Sequence, residues 1–266
     1  MITPSIIYGT AWKEEATEEL VLTALKTGFK AIDTANQRKH YHEAAVGNAI
    51  IKSNIPRSQL FLQTKFTYVG GQDHRLPYDP NKDYPTQVRQ SFESSLQHLQ
   101  TNYIDSYILH GPLTRHELTP ADLQVWTEME KIHNEKKIHY LGISNVNLKQ
   151  LQQLYENATI KPTFVQNRCY AQSAWDKQIR EYCKDKNIIY QGFSLLTANS
   201  FVLPQLQPIA VKYTKTPTQI IFRFSQQIGM IPLTGTTNQK HMQEDLALDF
   251  NLTEKEIEFI ENIAVE

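Results

Sequence analysis

The feature that most constrains this chain is an alternation kept up from end to end, in which short runs rich in β-branched and aromatic residues are each followed by an amphipathic stretch. Repeated strand and helix units of this kind pair into a parallel sheet. Strands are expected at Ile6–Gly9, Lys30–Asp33, Leu60–Thr64, Ile104–Leu109, His139–Ile143, Thr163–Gln166, Ile188–Gly192 and Met230–Pro232. Helical spacing follows each. A helix from about Glu14 puts Leu20, Val21, Ala24 and Leu25 on one face and stops at Gly28, and another covers Ala44–Ser53. A third carries Val88, Phe92, Ser95, Leu96 and Leu99. Thr119 before Pro120 and Thr216 before Pro217 read as N-caps with proline at the first helical position. Asn147 with Gln150 and Thr253 with Glu256 read as capping boxes. A further helix is expected near Lys177–Lys186.

Eight such units in 266 residues, with no composition break between the halves, favour a closed barrel over an open doubly wound sheet. No GxGxxG follows the first strand, which weakens a dinucleotide-binding open sheet further. The expected fold is therefore α/β, a single-domain (β/α)8 TIM barrel over residues 1–266. Its one long irregular insertion is residues 69–87, where Gly, Pro, Asp and His crowd together.

Charge and composition narrow the partners. A formal net charge of -1 gives no field that would gather nucleic acid or an anionic membrane, so a small neutral or polar ligand is expected. Only two cysteines, Cys169 and Cys183, a polar start at Met1–Pro4 and no apolar run approaching about 18 residues point to a reducing cytoplasmic setting without a membrane span.

In a barrel of this type chemistry belongs at the C-terminal strand ends and the loops that follow. The second strand ends in Asp33, the third in Lys65 within QTKF, and the fourth in His110 within YILHG. The fifth ends in Ser144 and Asn145, the sixth in Gln166 and Asn167. Any one of these has a bland explanation as a loop anchor. An aspartate, a lysine and a histidine at one barrel mouth, however, need only a proton donor to make a carbonyl-reducing site. Tyr41, in the loop after Asp33, is the best donor in reach.

The blocks GFKAIDTANQRKHYHEAAVGNAI, TKF, YIDSYILHGP, LGISN and FVQNRCY resemble, in order and over nearly the whole chain, the signature blocks of the aldo-keto reductase family. The resemblance implies NAD(P)H-dependent reduction of a small carbonyl substrate, with a tetrad of Asp33, Tyr41, Lys65 and His110 and nicotinamide across the barrel mouth. In that scheme Lys65, held by Asp33, lowers the pKa of the phenol, and His110 orients the carbonyl and donates to the developing alkoxide. The usual spacing puts the tyrosine five residues after the aspartate, where this chain has Arg38; Tyr41 stands eight after it, read as a short insertion within NQRKHY. His40 and His42 are alternative donors.

By the same resemblance Ser144, Asn145 and Gln166 bind the carboxamide, and Phe193 in QGFSLL stacks on the nicotinamide ring, with Gly9, Thr10, Ser194 and Leu196 beside it. GTTNQKHMQED matches the block that holds the adenosine end, through Gly235, Thr236, Thr237, His241, Glu244 and Asp245. Gly235 and His241 stand where many NADPH-preferring members carry lysine and arginine, and Lys240 is a substitute; NADPH is the expected cofactor, with NADH as the other candidate. Trp12 in YGTAWK and Gly111 are expected to line the substrate pocket, while Trp126 and Trp175 are read as helix and loop packing. The short stretch after the final helix implies no long C-terminal loop over the pocket, hence an open site.

Two other readings compete. His40 and His42 form an HxH pair that, with Asp33 and His110, would suit a metal-dependent barrel hydrolase. That site type wants the pair after the first strand and an aspartate after the eighth, where this chain has Pro232, Leu233, Thr234 and Gly235. The displaced tyrosine would instead suit a nucleotide-sensing protein that keeps the fold without turnover.

Overall fold

The computed structural model of the chain describes residues 4–265, so Met1 to Thr3 of the polar opening lie outside the described residues. Eight parallel strands close into a barrel in sequence order. They are β1 (Ile7–Gly9), β2 (Ala31–Asp33), β3 (Phe61–Phe66), β4 (Ile104–Leu109), β5 (Ile138–Ser144), β6 (Phe164–Arg168), β7 (Ile189–Phe193) and β8 (Met230–Thr234). Closure is made by Ile7 opposite Leu233 and Tyr8 opposite Thr234. Several strands run one or two residues beyond the expected ends, because ladder pairing, such as Phe66 with Leu109 and Arg168 with Phe193, carries them out toward the mouth.

Around the barrel lie α1 (Thr17–Thr27), α2 (Glu43–Ser53), α3 (Tyr84–His98), α4 (Pro120–Asn134), α5 (Leu148–Asn157) and α6 (Lys177–Asp185), then α7 (Gln207–Tyr213), α8 (Pro217–Gln227), α9 (Gln239–Leu246) and α10 (Glu254–Glu261). The capping chemistry read from sequence is what starts four of them. Thr119, Asn147, Thr216 and Thr253 each accept from the backbone three residues on, and the side chain there answers to the cap's own N–H. α1 is preceded by a 3-10 turn at Glu14–Ala16 rather than starting at Glu14.

The irregular stretch is shorter than expected. Asp83 caps Thr86 at 3.0 Å and Pro85 sits in the first turn, so residues 84–87 belong to α3 and the irregular part ends at 83. One helix per strand also fails between β7 and β8, where a 3-10 segment at Ser200–Leu206 and α7 precede α8. Pro204 and Pro208, each without an N–H, break that stretch into short pieces with too little periodicity to read.

Alternation along the strands sorts the barrel interior into layers. Ala31, Phe61 and Phe164 belong to an apolar cluster low in the bore, with Phe61 and Phe164 edge to face at 5.7 Å. Two residues further along their strands stand Asp33, Gln63 and Gln166, and Gln191 stands two residues after Ile189 on β7; all four are buried. A separate, larger core lies between sheet and helices, built on residues such as Tyr8, Phe92, Tyr107 and Phe224. Trp126 and Trp175 are buried there, their indole N–H groups donating to Ile160 O at 3.1 Å and Ile260 O at 2.8 Å, as expected of packing residues.

The contact between α2 and α3 depends on Gly47. A Cβ at that position would lie 2.1 Å from His98 O and 2.9 Å from Leu99 Cα. Alanine would gain roughly 1 kcal/mol of helix propensity. Both clashing atoms are backbone and cannot rotate away, so the overpacking cost of about 1–3 kcal/mol wins. Gly47→Ala is expected to lower the thermal unfolding midpoint; an unchanged or raised midpoint would contradict this packing.

Candidate active site

The polar layer of the barrel is organised by one carboxylate. Asp33 Oδ1 accepts from Lys65 Nζ at 2.7 Å, Gln63 Nε2 at 2.7 Å and Gln166 Nε2 at 3.1 Å, and Oδ2 accepts from Lys65 Nζ at 2.6 Å. The same ammonium donates to Thr34 O at 2.9 Å. Gln191 Oε1 closes the layer by accepting from Gln63 at 2.9 Å and Gln166 at 3.0 Å. Lys65 is 0% exposed and Asp33 3%. Burial lowers the Lys65 ammonium from its ordinary pKa, and the carboxylate of Asp33 opposes that shift. With its donors turned to Asp33 and Thr34, Lys65 acts on the cavity above through space.

Tyr41 lies over this pair, its ring centroid 5.2 Å from Lys65 Nζ and 5.9 Å from the His110 ring, which it meets edge-on at 69°. Burial pushes the phenol above its usual pKa and the nearby Asp33 charge adds to the rise. The phenol of the resting site is therefore raised, not lowered, chiefly by its burial. His110 is held well below the usual imidazole value by burial, by Lys65 and by His40, so its ring is neutral at pH 7. Its Nδ1 is 2.7 Å from Thr67 Oγ1.

The loop of residues 34–42 sets the sequence candidates for the proton donor in different surroundings. Arg38 turns away and pairs with Glu15 at 3.0 Å. His42 and Arg38 line a second, smaller cavity and His40 the main one, while Tyr41 stands between the two and lines both. The HxH pair therefore does not converge on one point. Arg38 and His42 are not beside Lys65 and His110; Tyr41 is. His40 sits under Trp12, ring centroids 3.8 Å apart.

The main cavity has a volume of about 780 Å³ and runs along the C-terminal strand ends. Trp12, Asp33, Tyr41 and His110 line it. So do Gly9, Ser144, Asn145, Gln166 and Phe193, with Ser194 and Leu196 after them in the chain. Gly235, Thr236, His241, Glu244 and Asp245, which follow β8, complete the lining. Asn145 holds a left-handed φ of 55° and donates to His110 O at 2.8 Å, so the fifth strand's loop braces the fourth's. Asp245 accepts from Thr234 Oγ1 at 2.6 Å and is pushed up to about 6 by burial.

Four of the expected residues lie off the cavity wall. Lys65 is beneath it; Thr10 is buried with its hydroxyl on Asp33 O at 3.0 Å; Thr237 is exposed. Gly111 packs toward Asn145, where an added Cβ would lie 3.6 Å from that side chain's Cβ. Gln37, Arg168, Thr216, Thr218 and Phe222 line the cavity without having been singled out. Lys13 was also missed. It is 6% exposed, donates to Gly235 O at 2.6 Å, lies over the Tyr8 ring and has no carboxylate partner among the described residues; burial lowers it to about 8. Its position directly after Trp12 in GTAWK was the available signal.

A closed parallel barrel that sets a phenol and a neutral imidazole on a cavity at its mouth, above a buried lysine–carboxylate pair, has the arrangement of the oxidoreductase barrels. A sequence model of the Aldo/keto reductase family matches residues 5–265, and the chain belongs to that family. It is 30% identical over 250 residues to the glyoxal reductase of Bacillus subtilis, covering 93% of this chain and 83% of the relative. It is 29% identical to the NAD/NADP-dependent indole-3-acetaldehyde reductase of Schizosaccharomyces pombe, covering 99% and 92%. Among solved structures, an aldo-keto reductase from a Medee basin deep-sea metagenome library superposes with a TM-score of 0.86 at 26% identity, covering 100% of this chain and 94% of that one. No helix among the described residues is long and apolar enough to cross a membrane.

The buried pair makes a sharp prediction for stability. Lys65→Met leaves the Asp33 carboxylate with amide donors alone, and Asp33→Leu leaves the ammonium with Thr34 O alone. Each single change is expected to cost about 3–5 kcal/mol, and the double variant less than their sum, because both charges then leave together. Urea unfolding of all four proteins checks this. Additive losses would mean that the two side chains do not stabilise one another.

Proposed function

We propose that this chain reduces aldehydes or ketones to alcohols with NADPH, and that Tyr41 is the general acid. The observation that carries the reading is the placement of Tyr41 near both Lys65 and His110 in a cavity of about 780 Å³, more than a small carbonyl compound alone would fill. The residues along the cleft suit a nicotinamide nucleotide. Ser144, Asn145 and the amide of Gln166 offer polar atoms for a carboxamide, Phe193 offers a ring face, and Lys13 beside Gly235 is a buried cation with no carboxylate to neutralise it. When bound, the nicotinamide supplies the hydride.

The chain's own groups then manage the oxygen. A carbonyl held between Tyr41 and His110 becomes an alkoxide as hydride arrives at its carbon. The neutral imidazole of His110 donates a hydrogen bond to that oxygen, and Tyr41 protonates it. The raised phenol pKa keeps the proton on Tyr41 until charge develops, and the Lys65 ammonium below then stabilises the phenolate. Asp33 and the glutamine layer hold Lys65 in place. NADH is the second cofactor in this reading, supported by the relative named for both nucleotides and by the pairing of exposed Lys240, in the segment after β8, with Glu244 at 3.8 Å. The substrates are small carbonyl compounds, and neither nucleic acid nor membrane has a part.

Reduction of 4-nitrobenzaldehyde, followed by loss of reduced-nucleotide absorbance, tests the reading. Tyr41→Phe is expected to lower kcat by about 10²–10⁴-fold while nucleotide still binds. Tight nucleotide binding by an inert wild type would point to the sensing role instead. The pH profile carries a second expectation. The acid form of a phenol whose pKa is raised is lost only above its ordinary value, and His110, held low, stays neutral. The reductive kcat is therefore expected to be flat from about pH 6.5 to 9. A fall with an apparent pKa inside that window that Lys13→Met does not remove, Lys13 itself being lowered to about 8, would overturn the assignment of Tyr41 as the acid.

A further inference from the structure

The insertion that displaces the tyrosine also delivers a second imidazole to the cavity. His40 precedes Tyr41, lines the same wall and is stacked under Trp12 at 3.8 Å between ring centroids. Its backbone is fixed on both sides, with Trp12 N–H donating to His40 O at 2.8 Å and His40 N–H to Gln37 O at 3.1 Å. The ring is oriented as well. Gln37 donates its amide Nε2 to Gly71 O at 2.5 Å, which leaves Gln37 Oε1 to face His40 Nδ1 at 3.0 Å. An amide oxygen only accepts, so Nδ1 carries the ring proton and Nε2 presents a lone pair. Nε2 has no partner among the described residues.

Resting on the reading of this chain as a carbonyl reductase, we infer that His40 is a specificity residue, selecting carbonyl substrates with a hydroxyl on the carbon next to the carbonyl by accepting that hydroxyl at Nε2. His40 is the immediate neighbour of Tyr41 in the chain, and both rings line the cavity that His110 lines. A short carbonyl compound held by Tyr41 and His110 therefore shares that cavity with the imidazole. The ring is an acceptor at neutral pH: burial and Lys39 hold its pKa down, and Asp73 only partly opposes them. His110, Tyr41 and the Asp33 and Lys65 pair are the other ionisable groups on this side. In the reaction, hydride adds to the carbonyl carbon, the carbonyl oxygen takes the proton of Tyr41, and a 1,2-diol results. His40 neither gains nor loses a proton.

The test compares glycolaldehyde with propanal, which differ by a hydroxyl in place of a methyl. The readout is the ratio of their kcat/KM values in wild type, His40→Phe and His40→Gln. Comparing enzymes on the same aldehyde solutions cancels the hydration of each aldehyde. His40→Phe keeps a ring against Trp12 but removes the acceptor, and is expected to lower the ratio roughly three- to tenfold, the worth of one neutral hydrogen bond. The change should lie in KM for glycolaldehyde, and His40→Gln, which restores an acceptor, should recover part of it. If propanal and glycolaldehyde are both turned over and the ratio is the same in all three proteins, the inference fails and the reductase reading stands. If wild type reduces no aldehyde at all, the reading fails and takes the inference with it.

Discussion

The ion pair of Lys65 and Asp33 is the constraint around which the barrel mouth is arranged. Two opposite charges taken fully out of water need close geometry and partners for every remaining polar atom. The structure meets that demand from three strands at once. Gln63 from β3, Gln166 from β6 and the backbone of Thr34 after β2 complete the shell, and Gln191 from β7 ties the two glutamines together. Such a layer cannot sit lower, where Phe61 and Phe164 fill the bore. Nor can it sit higher, where water in the cleft would screen it. Its depth is what lets one ammonium act on the ring above from 5.2 Å without being bonded to it.

The same depth sets the protonation states above. Tyr41 feels burial and Asp33 more than it feels Lys65, so its proton is held firmly. His110 feels burial and two nearby basic groups and stays neutral. A neutral imidazole and a protonated phenol are the pair needed to meet an oxygen that is becoming negative. The loops keep them there: Asn145 spans to His110 O, and Gln37 O receives the N–H groups of both His40 and Tyr41. The added residues in NQRKHY are absorbed as a turn, which is how a tyrosine eight positions after Asp33 comes to stand over Lys65.

Much of this was legible in the chain. The strand ends could be read because apolar runs stop at Asp33, Lys65 and His110, and four helix starts because threonine or asparagine precedes a matching partner three residues on. What was illegible depends on contacts between distant residues. β3, β6 and β8 each run two residues past the expected end, because pairing with a neighbouring strand and not local periodicity sets where they stop. The glutamine layer unites positions from three strands, and each glutamine alone reads as an ordinary polar residue. Lys13 was passed over because nothing local distinguishes a buried lysine from the exposed ones, and α7 because two prolines cut its pattern short. The displaced tyrosine was placed by the pattern that resumes after it, a signal that could not say where His40 and His42 would point.

The division of those two histidines has a simple cause. Residues 40 and 42 flank Tyr41, and the chain enters α2 at Glu43, whose carboxylate is buried against Thr64 and His98. Anchoring Glu43 on the outer side of the barrel turns the residue before it outward as well, so His42 faces the smaller cavity. His40 lies on the other side of Tyr41, where its carbonyl is claimed by Trp12 N–H and its ring by Gln37. Its direction is thus imposed by two neighbouring loops and not by the helix that follows. The loop between Asp33 and α2 thus sets His40 and Tyr41 on the main cavity, while the residue before the helix faces the smaller one.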